Sequence, residues 1–200
     1  MLIKEPWKID VLVNKTNWLP KNYEHYDLIM PKVKFLPDTL ESAKFMRHDA
    51  AKALEKLFRS AKRNKIELYA ASGYRSFERQ REIFKSNYSK AGEKANKYSA
   101  RPGQSEHQTG LAMDVTCEEV EYDLVKRFAD TKAYEWLVNN MYEFGFILRY
   151  PLGKEEITGY DFEPWHLRYV GKELAKRLYN ECMTLEEYNK KSLHKLVEIL

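Results

Sequence analysis

Five histidines occur in this 200-residue chain, and two of them stand where a ligand set could form. His107 lies in Pro102-Gly-Gln-Ser-Glu-His-Gln-Thr-Gly110, a loop of glycine and small polar residues that runs directly into an alternating apolar segment. Seven residues on, Asp114 falls among apolar neighbours, where an unpaired carboxylate is costly to bury and needs a cation or a metal as partner. The third piece is Glu163-Pro-Trp-His166. Residues three apart in an extended chain face opposite ways, so Pro164 must turn the backbone to bring both side chains to one side. With that turn made, His107, Asp114 and His166 would offer three ligands and leave a fourth position to water, whose pKa zinc lowers to about 7. Glu163 would stand beside the metal and take the proton as hydroxide attacks a carbonyl. Spacing leaves a second reading open, in which Asp114 pairs with Arg75, Arg149 or Arg168 and the histidines are merely packed. His25, His48 and His194 have no acidic or histidine partners at ligand spacing and read as surface or half-buried residues. The helical His-Glu-x-x-His signature, Gly-x-Ser-x-Gly, a P-loop and a dinucleotide fingerprint are all missing.

These groups need elements to hold them. Ala43, Met46, Ala50, Leu54, Leu57, Phe58 and Ala61 recur at helical spacing and predict a helix from Leu40 to about Arg63, ended by Asn64. Ile66 to Ser72 alternates as a strand. Ser76 can then cap a second helix, with Glu78 in its first turn where a carboxylate suits the helix dipole, and with Ile83, Phe84 and Tyr88 toward the core. Residues 89–99 are polar and read as exposed. Leu111 to Thr116 has strand period, with Leu111, Met113 and Val115 on one face and Ala112, Asp114 and Thr116 on the other. A third helix from Thr131 to Phe144 stops at Gly145, and Phe146–Tyr150 and Trp165–Val170 read as further strands. The tail predicts helices over Lys172–Asn180 and after Thr184-Leu-Glu-Glu187, a capping box. Pro6, Pro20, Pro31 and Pro37 break up residues 1–38, which read as a wrapping arm with short strands. Helices and strands are segregated, so the expected class is α+β with a small antiparallel sheet. The expected organisation is one domain over 1–200, with the arm at 1–38 and a catalytic core at 39–200.

Composition bounds the function classes. Hydrophobic residues make up 44% and charged residues 32% of the chain, which excludes a disordered polymer. No stretch approaches the roughly 20 apolar residues of a membrane span. Lys plus Arg number 34 against 30 Asp plus Glu, a net +4 spread along the whole length. Nucleic-acid binders concentrate such charge on one face, so that partner is not expected. Cys117 and Cys182 could form one disulfide, but read as unpaired small hydrophobes. The first residues lack the apolar run of a signal peptide.

Four blocks go further: Ala71-Ser-Gly-Tyr-Arg-Ser76 with Gln80; Pro102 to Asp114; Tyr142 to Pro151, with Gly145-Phe-Ile-Leu-Arg-Tyr150; and Gly153 to Gly171, with Glu163-Pro-Trp-His-Leu-Arg-Tyr-Val170. In residue type, order and spacing they resemble the VanY-type zinc D-alanyl-D-alanine carboxypeptidases and their LD-carboxypeptidase and VanXY dipeptidase/carboxypeptidase relatives of glycopeptide resistance. The resemblance implies a Hedgehog/DD-peptidase type of fold, a small antiparallel sheet flanked by helices. It implies one catalytic Zn2+ on His107, Asp114 and His166, Glu163 as general base, and Arg75 at the oxygen that turns negative. Ser105 and Gln80 would lie near the peptide's terminal residue. The implied reaction releases D-alanine from a peptidoglycan stem peptide or precursor. LD-cleavage of tetrapeptide stems, dipeptidase action and a non-catalytic zinc module are the alternatives. Dipeptidase relatives tend to carry Asp where this chain has Ser72, which favours longer peptides. If Met1 is the native start, a cytoplasmic precursor-trimming role is expected; if a leader or anchor was removed, an extracytoplasmic one.

Overall fold

The computed structural model describes the backbone of residues 1–199 and the side chains of residues 1–192. Among the described residues are six short strands and six helices, which alternate along the chain from β2 to α5 rather than standing segregated as the sequence reading expected, yet the strands still pair antiparallel. The arm forms β1 (Leu28–Ile29), which pairs antiparallel with β2 (Met46–Arg47). The main sheet has the order β3-β4-β6-β5, antiparallel throughout, from Tyr69–Ser72 (β3), Ala112–Thr116 (β4), Phe146–Leu148 (β5) and His166–Tyr169 (β6). The helices are α1 (His48–Arg63), α2 (Phe77–Ala91), α3 (Lys132–Asn140), the single turn α4 (Glu155–Thr158), α5 (Lys172–Asn180) and α6 (Leu185–Ile199). None of the described helices is long and apolar enough to cross a membrane.

Helix α1 lays Ala50, Ala51, Leu54, Leu57 and Ala61 into the cluster that holds Leu111, Met113, Val115 and Leu167 of the sheet. A smaller cluster of Ile147, Val170, Ala175, Leu178 and Leu185 joins β5, α5 and α6. Local chemistry sets the helix ends as expected. Ser76 accepts from the Arg79 N–H at the start of α2, and Thr184 and Glu187 bond each other's backbone N–H ahead of α6. Gly145 takes φ +88° after a tight 3-10 turn that closes the third helical segment.

Several elements differ from the sequence expectation. The first helix starts at His48, not Leu40: Glu41–Lys44 is one 3-10 turn and Met46–Arg47 is extended. The turn is held instead by the two residues after β3, because the Gly73 and Tyr74 N–H groups bond the Ala43 and Phe45 carbonyls. A Cβ on Gly73 would come 2.5 Å from the Phe45 oxygen, so this backbone-to-backbone approach admits only glycine. Helix α2 fully buries only Gln80; Ile83 and Phe84 are half-buried and Tyr88 is exposed. Phe84 lies under Arg101 and Tyr88 bonds Glu93, so this face meets polar cover rather than the core. Residues 92–97 continue as a 3-10 helix. Both faces of β4 are buried. His25 is buried, its ring stacked on Tyr26 and paired with Asp27 where the arm folds back, while His48 is exposed. The His194 side chain lies outside the described residues. Cys117 is buried, Cys182 is exposed, and neither forms a disulfide.

A buried charge cluster fastens the two ends of the chain to the sheet. Arg149 and Arg168, each essentially without solvent exposure, share Glu106 Oε1 at 2.7 and 2.6 Å. Arg149 also donates both Nη atoms to Glu186 of α6, and Arg168 donates to the Ile9 and Val11 carbonyls of the arm. Desolvation favours a protonated Glu106, but the two guanidiniums overturn that and hold the carboxyl well below the usual range. Removing one member of a buried ion cluster leaves an uncompensated charge. Glu106→Ala should therefore lower unfolding stability by about 3–5 kcal/mol, read as a shift in the urea midpoint. Breaking the exposed Lys34–Glu67 pair should leave that midpoint almost unmoved.

Candidate active site

Strand register brings two of the expected ligands together. Asp114 of β4 stands directly opposite His166 of β6, and Ser72 of β3 stands opposite Asp114 on the other side, after an irregularity in the β3 register. These three residues form one row across the sheet. His107 reaches the row from the 3-10 turn Glu106–Thr109, which Gly110 closes at φ +70°. The left-handed backbone at Gly110 favours glycine, and a Cβ there would also crowd the Leu28 side chain and the Arg47 backbone where the turn packs on β1 and β2. Glu163 arrives through the turn at Pro164 and Trp165, closed by the His166 N–H on the Glu163 carbonyl at 3.2 Å. That turn places Glu163 Oε2 3.8 Å from His166 Nδ1, on the side occupied by Asp114.

The donor atoms of His107, Asp114 and His166 all lie within 4.8 Å of one another, and all three residues are buried. The His107 Nδ1–H donates to the Gly73 carbonyl at 2.7 Å, which leaves Nε2 facing Asp114 Oδ2 at 3.4 Å. His166 turns Nδ1 to Asp114 Oδ1 at 3.0 Å. Two imidazole nitrogens and a carboxylate converging on one point form a donor set that suits zinc.

Electrostatics separate the groups by role. Burial pushes the Glu163 carboxyl up to about 7, against the pull of His166. Burial lowers His107. It works the same way on His166, but the hydrogen bond to Asp114 and the nearby Glu106 carboxylate prevail and raise it to about 9. Asp114 would be raised by desolvation, yet the two histidines hold it far below the carboxylate range. No arginine is ion-paired to Asp114 among the described residues; Arg149 and Arg168 are committed to Glu106.

A cavity of about 430 Å³ opens on the row and is lined by Arg75, Gln80, Ser105 and Glu163 as well as the three convergent residues. Arg75 is half-buried and fixed, donating to Gln80 Oε1 at 2.8 Å and Ser72 Oγ at 3.0 Å. Gln80 in turn donates to the Ala100 carbonyl at 2.6 Å, so both ends of its amide hold the scaffold. Every expected site residue therefore meets at one cavity. The sequence reading passed over Tyr150 and Tyr160, which line the same cavity, their rings 5.0 Å apart. Burial raises both phenols, and the Tyr160 hydroxyl donates to the Gln104 carbonyl. Only their place in the loop region between β5 and β6 could have pointed to them. Glu106 was passed over too, although it stands between Ser105 and His107 in the quoted loop.

The family model for VanY, D-alanyl-D-alanine carboxypeptidase, matches residues 43–172. Among curated proteins, the chain is 47% identical over 190 residues to the putative carboxypeptidase YodJ of Bacillus subtilis (strain 168), covering 94% of this chain and 70% of that one. Among solved structures, the LdcB LD-carboxypeptidase is 47% identical with a TM-score of 0.91, covering 95% of this chain and 89% of that one. A mutant vancomycin-resistance D,D-pentapeptidase VanY from a VanB-type cassette, solved in complex with Zn(II), is 35% identical with a TM-score of 0.72, over 90% of this chain and 98% of that one. With this fold and this constellation, the chain belongs to the VanY family of zinc carboxypeptidases.

Proposed function

We propose that the chain hydrolyses the terminal peptide bond of a peptidoglycan stem peptide or its precursor and releases D-alanine, with one zinc ion held by His107, Asp114 and His166. The observation that carries this reading is the convergence of those three donors within 4.8 Å, with Glu163 3.8 Å from His166 on the cavity side. Bound there, zinc supplies Lewis-acid polarisation of the scissile carbonyl and a water of lowered pKa. Glu163, held at a high pKa by burial, is matched to take the water's proton near neutral pH and return it to the leaving amine. Arg75 presents a fixed guanidinium to the carbonyl oxygen as it gains charge, a contribution of about 3–4 kcal/mol for such a donor. Ser105 would bind near the terminal residue of the peptide, which its burial in the cavity wall supports. Gln80 serves that end of the site through Arg75.

A second reading is favoured by one observation: the LdcB LD-carboxypeptidase is closer in both identity and TM-score than the VanY D,D-pentapeptidase. It keeps the same zinc and base and changes the peptide to a tetrapeptide stem with an L,D bond. Ser72 is engaged by Arg75 and offers no carboxylate to a free ammonium, which disfavours the dipeptide.

Stem pentapeptide, stem tetrapeptide and free D-Ala-D-Ala, incubated with and without chelator, separate these substrates by the D-alanine released. Pentapeptide or tetrapeptide should be cut and a chelator should stop it; no cleavage of any peptide with zinc supplied would leave a non-catalytic zinc module. Glu163→Gln should lose about 10²–10⁴-fold in kcat while zinc content, measured by metal analysis, stays at one ion per chain. Asp114→Ala should lose the ion itself, and with it the stability gained by metal binding, seen as a melting temperature no longer raised by zinc. No covalent acyl-enzyme forms in this scheme, so labelled penicillin should not mark the protein.

A further inference from the structure

The net charge of +4 is spread along the sequence, but the fold gathers part of it at one edge of the cavity. Lys97 and Arg101, both exposed, flank Tyr98, Ser99 and Ala100, which line the cavity wall. Lys15 reaches the same edge from the arm, its Nζ 4.7 Å from the centre of the Tyr160 ring, another part of that wall. Hydrogen bonds fix this meeting of segments. The Gln104 side chain donates to the Lys15 carbonyl and its backbone N–H to the Arg101 carbonyl, while the Asp161 N–H bonds the Lys97 carbonyl. Little offsets the three cations. Asp161 stands among them but already pairs with Lys126 at 3.8 Å. Glu93 is engaged by Tyr88 and by Asn96, whose amide oxygen takes the Arg101 Nε–H. Burial lowers the Lys15 ammonium; Asp161 opposes this, and Arg101 and Lys97 add to it, as like charges do at short range.

This edge adjoins the end of the cavity where the peptide's terminal residue is placed above: the Ala100 carbonyl accepts from Gln80, and Ser105 follows Gln104. A carboxypeptidase substrate carries its free α-carboxylate on that residue. We propose that Lys15, Lys97 and Arg101 form a cationic rim that draws the free C-terminal carboxylate of a peptide into the cavity. The proposal rests on the reading of the chain as a carboxypeptidase. A cleft edged by one sign of charge concentrates ligands of the opposite sign and speeds their entry. The rim therefore acts on capture: it lowers KM and leaves kcat alone, and it favours the more negatively charged of two peptides that end in the same residues.

Stem peptides with the same terminal residues and an upstream carboxyl either free or amidated, cleaved at rising ionic strength, test this. With the zinc-loaded parent, kcat/KM should fall as salt is added, more steeply for the peptide with the extra carboxylate. K97Q/R101Q should lose about tenfold in kcat/KM at low salt, all of it in KM, and converge on the parent at high salt. R59Q/K62Q removes equal charge beside a different cavity and should match the parent throughout. A salt-independent kcat/KM in the parent, an equal loss in R59Q/K62Q, or a loss confined to kcat overturns the proposal. If K97Q/R101Q does not fold, K15Q and K97Q, made singly, carry the same comparison. Binding of fluorescently labelled pentapeptide to chelator-treated protein, read by anisotropy, keeps the two ideas apart. Salt-sensitive binding that weakens in K97Q/R101Q, with no cleavage by the zinc-loaded parent, would mean that the reaction has been misread and the rim stands. Cleavage by the parent with an unaffected K97Q/R101Q would mean that only the rim has failed.

Discussion

Glu106 accepts from two guanidiniums that have no contact with water, and almost everything else in the molecule is arranged around that contact. Two buried arginines beside a single carboxylate would be a costly excess of charge. The excess is removed from two directions: Glu186 of α6 takes both Nη atoms of Arg149, and the Ile9 and Val11 carbonyls of the arm take Arg168. The cluster thereby fixes the arm and the start of α6 against the sheet. It also explains why β5 and β6, which lead to Arg149 and carry Arg168, must lie side by side, with the Arg149 N–H on the His166 carbonyl.

The row of Ser72, Asp114 and His166 is built on the same strands. Antiparallel register sets Asp114 across from His166 with no freedom to slip, since a one-residue shift would turn both side chains to the opposite face. Loops supply the rest, yet each is tied at backbone level: the His107 turn by Gly110, the Glu163 turn by its own hydrogen bond, and the Arg75 segment by the bonds from Gly73 and Tyr74 to the 3-10 turn before α1. A hydrolytic centre of this kind depends on donors held to within fractions of an ångström, and rigid strands with short, closed loops provide that.

Much of this was legible in the residues. His107, Asp114, Glu163 and His166 announced themselves by type, by the apolar setting of Asp114 and by the proline between the last two. The capping box at Thr184 and the glycine stop at Gly145 carry local signals that do not depend on the remainder of the fold. What could not be read was set by long-range partners. Residues 41–47 have helical apolar spacing, but β1 and β3 draw them into a turn and a strand. Ile83, Phe84 and Tyr88 keep helical period on a face that meets polar cover. Glu106 looked like one more polar loop residue, because its two arginines come from 43 and 62 residues farther along the chain.

The span of those contacts has a consequence for how the protein comes into being. Arg168 reaches back 159 residues to the Ile9 carbonyl, and Arg149 reaches forward 37 to Glu186. Contacts of such sequence separation form late, since the loops they close must be gathered first. Until the Ile9–Val11 segment and Glu186 are both in place, Arg168 and Arg149 lack the partners that neutralise them, although every residue of the row is already in the chain. The sheet that carries Asp114 and His166 is therefore secured by segments far apart in sequence, and it settles only once both have been gathered.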